Sequence, residues 1–276
     1  MRKLKNVLRA SSCCAFSILM CLPAAGQNAW SEADCVTLLD STSVTVQPNG
    51  SGSFAVYKSF KVQTPKGAVN NHVIKYDYDP LTAFARFKQV TVQRANGETI
   101  QVDVTKTCDY AAPARAIYWG ARQIMLELGR LEPGDVVSYE ISKKGFTYAL
   151  LAGAEDDDAR FIPPMRGQFY DIVPFWVNEP TRRKVYVVSM PMEKELQFQF
   201  YNGACTSSMR YEDGRKVYTF AVDEVFPFRK EPNMVDLFDE APKLMMSSTP
   251  KWEDKSLWFH DLNEAYGSFA ALPEAQ

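Results

Sequence analysis

Between Val36 and Val62 the apolar side chains keep to even-numbered positions: Val36, Leu38, Val44 and Val46, then Phe54, Val56, Phe60 and Val62. A period of two buries one face and wets the other, so each run predicts a strand. Pro48-Asn49-Gly50-Ser51-Gly52 separates the runs and supplies the positive-φ positions of a tight reversal. The pair reads as a β-hairpin.

The pattern continues downstream. His72 to Tyr78 predicts a strand closed by Asp79-Pro80, and Asn96-Gly97 turns Phe87–Gln93 into Thr99–Val104. Arg122–Leu128 carries Ile124, Leu126 and Leu128 on alternate positions, and Val136–Ile141 follows Leu131-Glu132-Pro133-Gly134-Asp135. There Pro133 and Gly134 suit the two central positions of a type II turn. Further strands are predicted at Phe169–Val177, Arg183–Met190, Leu196–Tyr201 and Arg215–Val222, with Asp213-Gly214 joining the last to Ser208–Tyr211 if that segment pairs. Residues 108–120 fit neither strand nor helix, and the run Glu155–Asp158 with Pro163-Pro164 marks an exposed loop. Residues 227–250 read as loop. Thr249 then caps a predicted helix from about Pro250 to Asn263 that presents Trp252, Trp258, Phe259 and Leu262.

Strands joined by turns rather than by crossover helices disfavour a parallel α/β fold. The expectation is a mainly β protein: an antiparallel β-sandwich, or two sandwich-like lobes, with a short C-terminal helix. Residues 27–226 would form the β-rich domain. Residues 227–276 would pack on it or lead toward a further core.

The first 26 residues change the compartment. Arg2, Lys3, Lys5 and Arg9 precede the apolar stretch Ala15–Pro23, and Ala24 and Gly26 stand before a cut ahead of Gln27. This is the pattern of a secretory signal, with export to the periplasm or cell envelope. Lipoprotein anchoring through Cys21 fits less well, because Met20 is large where such a signal takes a small residue. Removing the four basic residues leaves 27 Lys and Arg against 33 Asp and Glu. Such a balance offers no basic face for nucleic acid.

Export also removes three cysteines, leaving Cys35, Cys108 and Cys205, enough for at most one intrachain disulfide. Their spacing is too wide for a local zinc site, and only His72 and His260 could add imidazoles. A hydrolase would need His72 beside a cysteine or serine. No catalytic residue, metal or cofactor is expected. Glu155–Asp158 lacks the alternation of a calcium loop. The aromatics are the stronger candidates for recognition. Tyr76 and Tyr78 share one face of their strand, with Asp77 and Asp79 opposite. Tyr170 and Trp176 share the face of their strand opposite Phe169 and Phe175. These four tyrosines and tryptophans form a candidate ligand surface, and Trp252, Trp258 and Phe259 form a candidate docking face.

The chain also resembles a known family. The segments that carry the likeness are Asp34–Asp40, Val44–Gly52, Lys61–Gly67, Tyr78–Thr82, Asn96–Thr99 and Leu131–Glu140, in that order, over about residues 34 to 225. They are similar to the β-rich region, domain of unknown function 3857, that precedes the transglutaminase-like cysteine peptidase core of many exported bacterial proteins. Trp252–Asp254 through Asn263-Glu264 looks like the stretch just before that core. None of Cys35, Cys108 or Cys205 falls where the family's catalytic cysteine stands, so the resemblance implies no catalytic residue here. It implies an exported, non-catalytic scaffold or interaction domain, whose partner would be a transglutaminase-like core, another envelope protein, or a glycan or peptide. Two other readings are a stand-alone glycan- or peptide-binding module and part of a larger cysteine-dependent enzyme.

Overall fold

The computed structural model describes residues 30–112, 120–146, 163, 165–228 and 231–265. The opening hairpin forms as the alternation predicts: β1 (Cys35–Val46) pairs antiparallel with β2 (Gly52–Val62), ending at Val46 opposite Gly52. A short helix α1 (Pro65–Asn70) follows. Thr64 caps it by accepting the Gly67 N–H at 3.0 Å, and Pro65 begins it where a missing N–H is harmless. Gly67 lets this helix press against the start of β1, since a Cβ there would lie 2.2 Å from the Asp34 carbonyl oxygen.

The chain then contributes β3 (Val73–Tyr78), β4 (Ala83–Gln93), β5 (Thr99–Gln101), β6 (Cys108–Ala111), β7 (Arg122–Glu127) and β8 (Val136–Gly145). After these come β9 (Tyr170–Pro174), β10 (Thr181–Pro191), β11 (Gln197–Tyr201), β12 (Thr206–Glu212) and β13 (Arg215–Val225). The described residues close with α2 (Leu237–Glu240), β14 (Lys243–Ser247) and α3 (Trp252–Ala265). Eight strands form one large sheet in the order β12-β13-β10-β1-β2-β8-β4-β5, beside two three-stranded sheets, β3-β7-β6 and β11-β14-β9. The fold is mainly β, as expected. One neighbour pair departs from antiparallel: β1 and β10 run parallel, so the large sheet is mixed.

Both small sheets lie against the same face of the large one. The even side chains of β2 show this, because Phe54 joins one core and Phe60 and Val62 the other. The first core combines Val90, Val92, Val137 and Ile141 of the large sheet with Ile74, Ile124 and Leu126 of β3 and β7. The second combines Val44, Val188, Met190 and Phe220 with Val173, Leu244 and Met246 of β9 and β14. Burying a side chain of this size stabilises by about 1.5–3 kcal/mol relative to leaving it exposed. Val56 packs against both cores and marks the seam between two lobes.

The turn after Leu131 forms as its Pro133-Gly134 pair requires, with Gly134 at φ 100°. Other expectations need correction. Residues 227–250 are not simply loop: Lys243–Ser247 is β14, the central strand of the second small sheet. Its apolar alternation is only two residues deep, Leu244 and Met246, so pattern alone did not expose it. β4 begins at Ala83 rather than Phe87, and after Gln101 the chain turns through a 3-10 segment, Val104–Lys106, instead of extending to Val104. Within 108–120, Cys108–Ala111 is a strand, because it pairs with β7. α3 starts at Trp252, and the Asp254 carboxylate rather than Thr249 meets its approach, accepting the Lys251 N–H at 3.0 Å. The proposed acidic loop and the signal segment lie outside the described residues.

Candidate functional site

Strand register places a polar band where the two cores meet. Lys184 of β10, Asp40 of β1, Lys58 of β2 and Tyr139 of β8 face one another as a transverse row on the covered side of the large sheet. Two rungs away, Lys143 of β8 stands opposite Phe54, with its ammonium 4.5 Å from the ring centroid. Lys184 Nζ lies 2.8 Å from Asp40 Oδ2. Across the seam, Asp171 of β9, 6% exposed, accepts a hydrogen bond from the Tyr186 hydroxyl.

Electrostatics tie these groups together. Burial first, and then the negative charges of Asp171 and Asp40, push the Tyr76 phenol up to about 12. Burial, with Asp40 and Tyr76 behind it, likewise raises Tyr139 well above the ordinary tyrosine value. Tyr186 is raised by burial and then by Asp171. Burial draws the Lys143 ammonium down, while Asp171 pulls it back up. All three phenols are therefore neutral hydrogen-bonding groups at physiological pH.

Sequence reading missed this band, although a signal was there. On β2 the inward series runs Phe54, Val56, Lys58, Phe60, Val62, and on β8 it runs Val137, Tyr139, Ile141, Lys143. A lysine inside an otherwise apolar alternation marks each.

The four residues of the expected ligand surface are divided between the lobes. Tyr78, 9% exposed, lies in the first core, with its hydroxyl 2.6 Å from Asp109 Oδ2, and the Tyr76 ring packs against the same core. They share a face, as alternation requires. That face covers the large sheet, so their rings belong to the interior and not to an exposed aromatic cleft. Tyr170 and Trp176 lie on the other lobe. The Tyr170 ring has the Lys255 ammonium 5.7 Å from its centroid, and Trp176 meets Phe238 of α2 edge-on at 4.8 Å. Phe169 and Phe175 point inward, being 3% and 1% exposed.

The docking candidates lie together on α3. Trp252 is 78% exposed, Phe259 is 39% exposed, and Trp258, half-buried, meets Phe259 at 5.1 Å between ring centroids. Leu257 is also exposed. Lys255 over Tyr170 and the Gln197 side-chain amide bonded to the Pro250 carbonyl hold this segment against the second lobe.

The thiols and imidazoles make separate contacts. Cys35 is fully buried and accepts the Asn71 side-chain amide at 3.2 Å. Burial, aided by Glu179 and Asp34, pushes its thiol up to about 12, the reverse of nucleophile activation. Cys205 is also raised by burial, and Cys108 is exposed on β6. All three are free thiols. The His72 ring meets the Val69 carbonyl at 2.5 Å, and His260 lies on exposed α3, 3.5 Å from Asp261. Among the described residues, no group of three His, Cys, Asp or Glu could hold a metal ion, and no helix is long and apolar enough to cross a membrane.

No curated protein matches the chain. Among solved structures it is similar to a "putative protease" from Parabacteroides distasonis, with a TM-score of 0.61 and 13% identity, over 79% of this chain and 41% of that one. An M1 zinc metallopeptidase from Deinococcus radiodurans is also similar, with a TM-score of 0.39 and 13% identity, over 78% and 42% of the two chains. The chain thus spans about two-fifths of the length of each. The first likeness concerns the fold. Residues 48–229 match the family described as "Domain of Unknown Function with solved-structure structure (DUF3857)", and the chain, matched over more than half its 276 residues, belongs to that family.

Proposed function

We propose that the protein is an exported, non-catalytic interaction domain that presents a partner protein on the aromatic face of α3. The exposure of Trp252, Leu257 and Phe259 along one short helix carries this reading. Isolated exposed apolar residues are ordinary, whereas Trp252 and Phe259, seven residues apart on one side of the helix, with Trp258 against Phe259, make a patch fit for association. The burial of Cys35 and the separate engagement of His72 support a structural role for both rather than a nucleophile–base pair. The preferred partner is a transglutaminase-like or other peptidase core. The Parabacteroides distasonis protein carries the same fold over 41% of a longer chain, which supports this choice. The leader-like first 26 residues support export.

The test is photocrosslinking in the source cells, with a benzophenone amino acid placed at Phe259 and, as control, at exposed Asn96. A discrete adduct from 259 in the envelope fraction, absent from 96, is the expected result. Equal labelling at both positions, or none at 259, would overturn the reading. Peptide sequencing of the same material should find the mature chain beginning at Gln27.

A further inference from the structure

Among the described residues, the second core is open at one edge. β11 covers it with Phe198 and Phe200, opposite Met246 and Leu244 of β14. Yet Phe198 stays 43% exposed, its ring 4.8 Å from that of Phe220 and 6.4 Å from that of Tyr218, both on β13. The lid thus stops at about β13, and β12, the outermost strand of the large sheet, overhangs it. Every residue of β12 is exposed. Met209 and Tyr211 lie on its covered face, opposite Tyr218 and Lys216.

A long, regular strand edge invites pairing, and proteins ordinarily blunt one with lysine, proline, a bulge or brevity. The far edge of the same sheet is blunted in the last way, since β5 has three residues. β12 has none of these devices: its seven residues include no lysine or proline and pair with β13 without a shift in register. Its one cation, Arg210, is turned back onto Glu212 by bonds of 3.0 and 2.7 Å. The hairpin to β13 turns through Asp213 and Gly214, at φ 50° and 70°, so Glu212 and Arg215 exchange both main-chain bonds. Alternate residues then point the other way, and the N–H and C=O of Ser207, Met209 and Tyr211 are directed off the sheet.

What fits this edge is β12 itself. Laid antiparallel about Met209, a second copy sets Met209 opposite Met209 and Tyr211 opposite Ser207. On the other face Arg210 comes opposite Ser208, and Glu212 opposite Thr206. The strand is small in its first half and large in its second, so each large side chain except Met209 meets a small one. Its two charges cancel, and neither stands directly opposite its like. The outward residues of the two strands would exchange about six main-chain bonds.

We propose that two copies of the chain associate through β12, joining their large sheets into one. Two seven-residue strands make a small interface, so the dimer is transient, with a dissociation constant on the order of 10–100 μM. This inference does not rest on the reading of α3.

The test is sedimentation equilibrium of the purified chain, under reducing conditions that keep exposed Cys108 from cross-linking. The mass should rise from one chain to two over that concentration range and stop there. Met209→Pro removes an N–H that β13 does not use, at an edge where proline is tolerated, and should leave a monomer. At about 1 μM, where the unaltered chain is also monomeric on this estimate, the variant should melt at the same temperature. Met209→Lys sets two ammonium groups opposite each other and should weaken the dimer by more than about tenfold, a readout that stands even if proline unsettles the strand. Trp252→Ser, on α3, should leave the dimer unchanged. A chain still monomeric at ~1 mM would overturn the proposal. So would an unchanged dimer in either Met209 variant, loss of the dimer in Trp252→Ser, or growth past two chains.

Discussion

Asp135, 1% exposed, closes the turn between Leu131 and β8 by accepting both the Arg94 guanidinium and the Glu132 N–H. Arg94 lies just beyond the end of β4, 41 positions earlier, and also donates to the Arg130 carbonyl. The contact therefore ties two edges of the first lobe through one nearly dry carboxylate. Removing one partner of such a pair leaves the other charge uncompensated, at a cost of about 3–5 kcal/mol. Asp135→Ala should lower the free energy of urea unfolding by up to that amount. Asp135→Asn, which keeps an acceptor, should cost less. Equal loss in both would assign the effect to the charge, which both variants remove, and not to the turn's acceptor.

Gly67 carries no positive φ, so its restriction is one of space. Gly67→Ala would push a methyl into the Asp34 carbonyl and within 2.9 Å of Cys35 Sγ, both at the head of β1. Overpacking of this kind costs about 1–3 kcal/mol. A lower melting temperature with unchanged far-ultraviolet circular dichroism is expected. A neutral substitution would mean that α1 can lift away freely.

Alkaline pH should destabilise the protein. The Cys35 thiol sits at about 12 in the fold against an ordinary value of 9.0, and the Tyr76 phenol at about 12 against 10.0. A folded-state value raised above the unfolded one means the native state holds its proton more tightly. The associated stability is intact below the unfolded value and decays as pH climbs toward the folded one. Melting temperature should thus hold to about pH 9 and fall progressively toward 12. Peptide-mapped alkylation offers a second check, with exposed Cys108 modified at pH 8 and Cys35 spared. Rapid labelling of Cys35 in the native protein would contradict its burial.

β14 is the sharpest test of where the folded unit ends. Leu244 and Met246 are 0% and 1% exposed, and Leu244→Ala should cost about 2–5 kcal/mol. If residues beyond 226 were an appendage, the same substitution would leave denaturant unfolding unchanged.

What could be read beforehand follows from where periodicity reaches. The hairpin from Cys35 to Val62 and the Pro133-Gly134 turn were legible, because alternation and turn chemistry there act over neighbours in sequence. β14 was not. It has five residues and two buried side chains, and it exists because β9 and β11 flank it. On α3, Trp252 and Phe259 are exposed while Trp258 is half-buried, a difference that residue type alone does not reveal. Tyr76 and Tyr78 were rightly placed on one face, but sequence could not say that a second sheet would use that face as its lid. The row Lys184, Asp40, Lys58 and Tyr139 depends on register among four strands. No local window contains it.

The parallel contact of β1 with β10 bears on how the chain acquires this fold. Asp40 and Lys184 are 144 positions apart, and their strands are neighbours near the middle of the large sheet. Non-local pairing of this kind is slow to form, because loop closure must precede any reward. β2 can dress one edge of β1 as soon as the hairpin emerges from the ribosome. The other edge stays bare until β10 has been made. A nascent chain cannot complete this sheet early, which leaves β1 a template for mispairing in any chain cut short before Thr181.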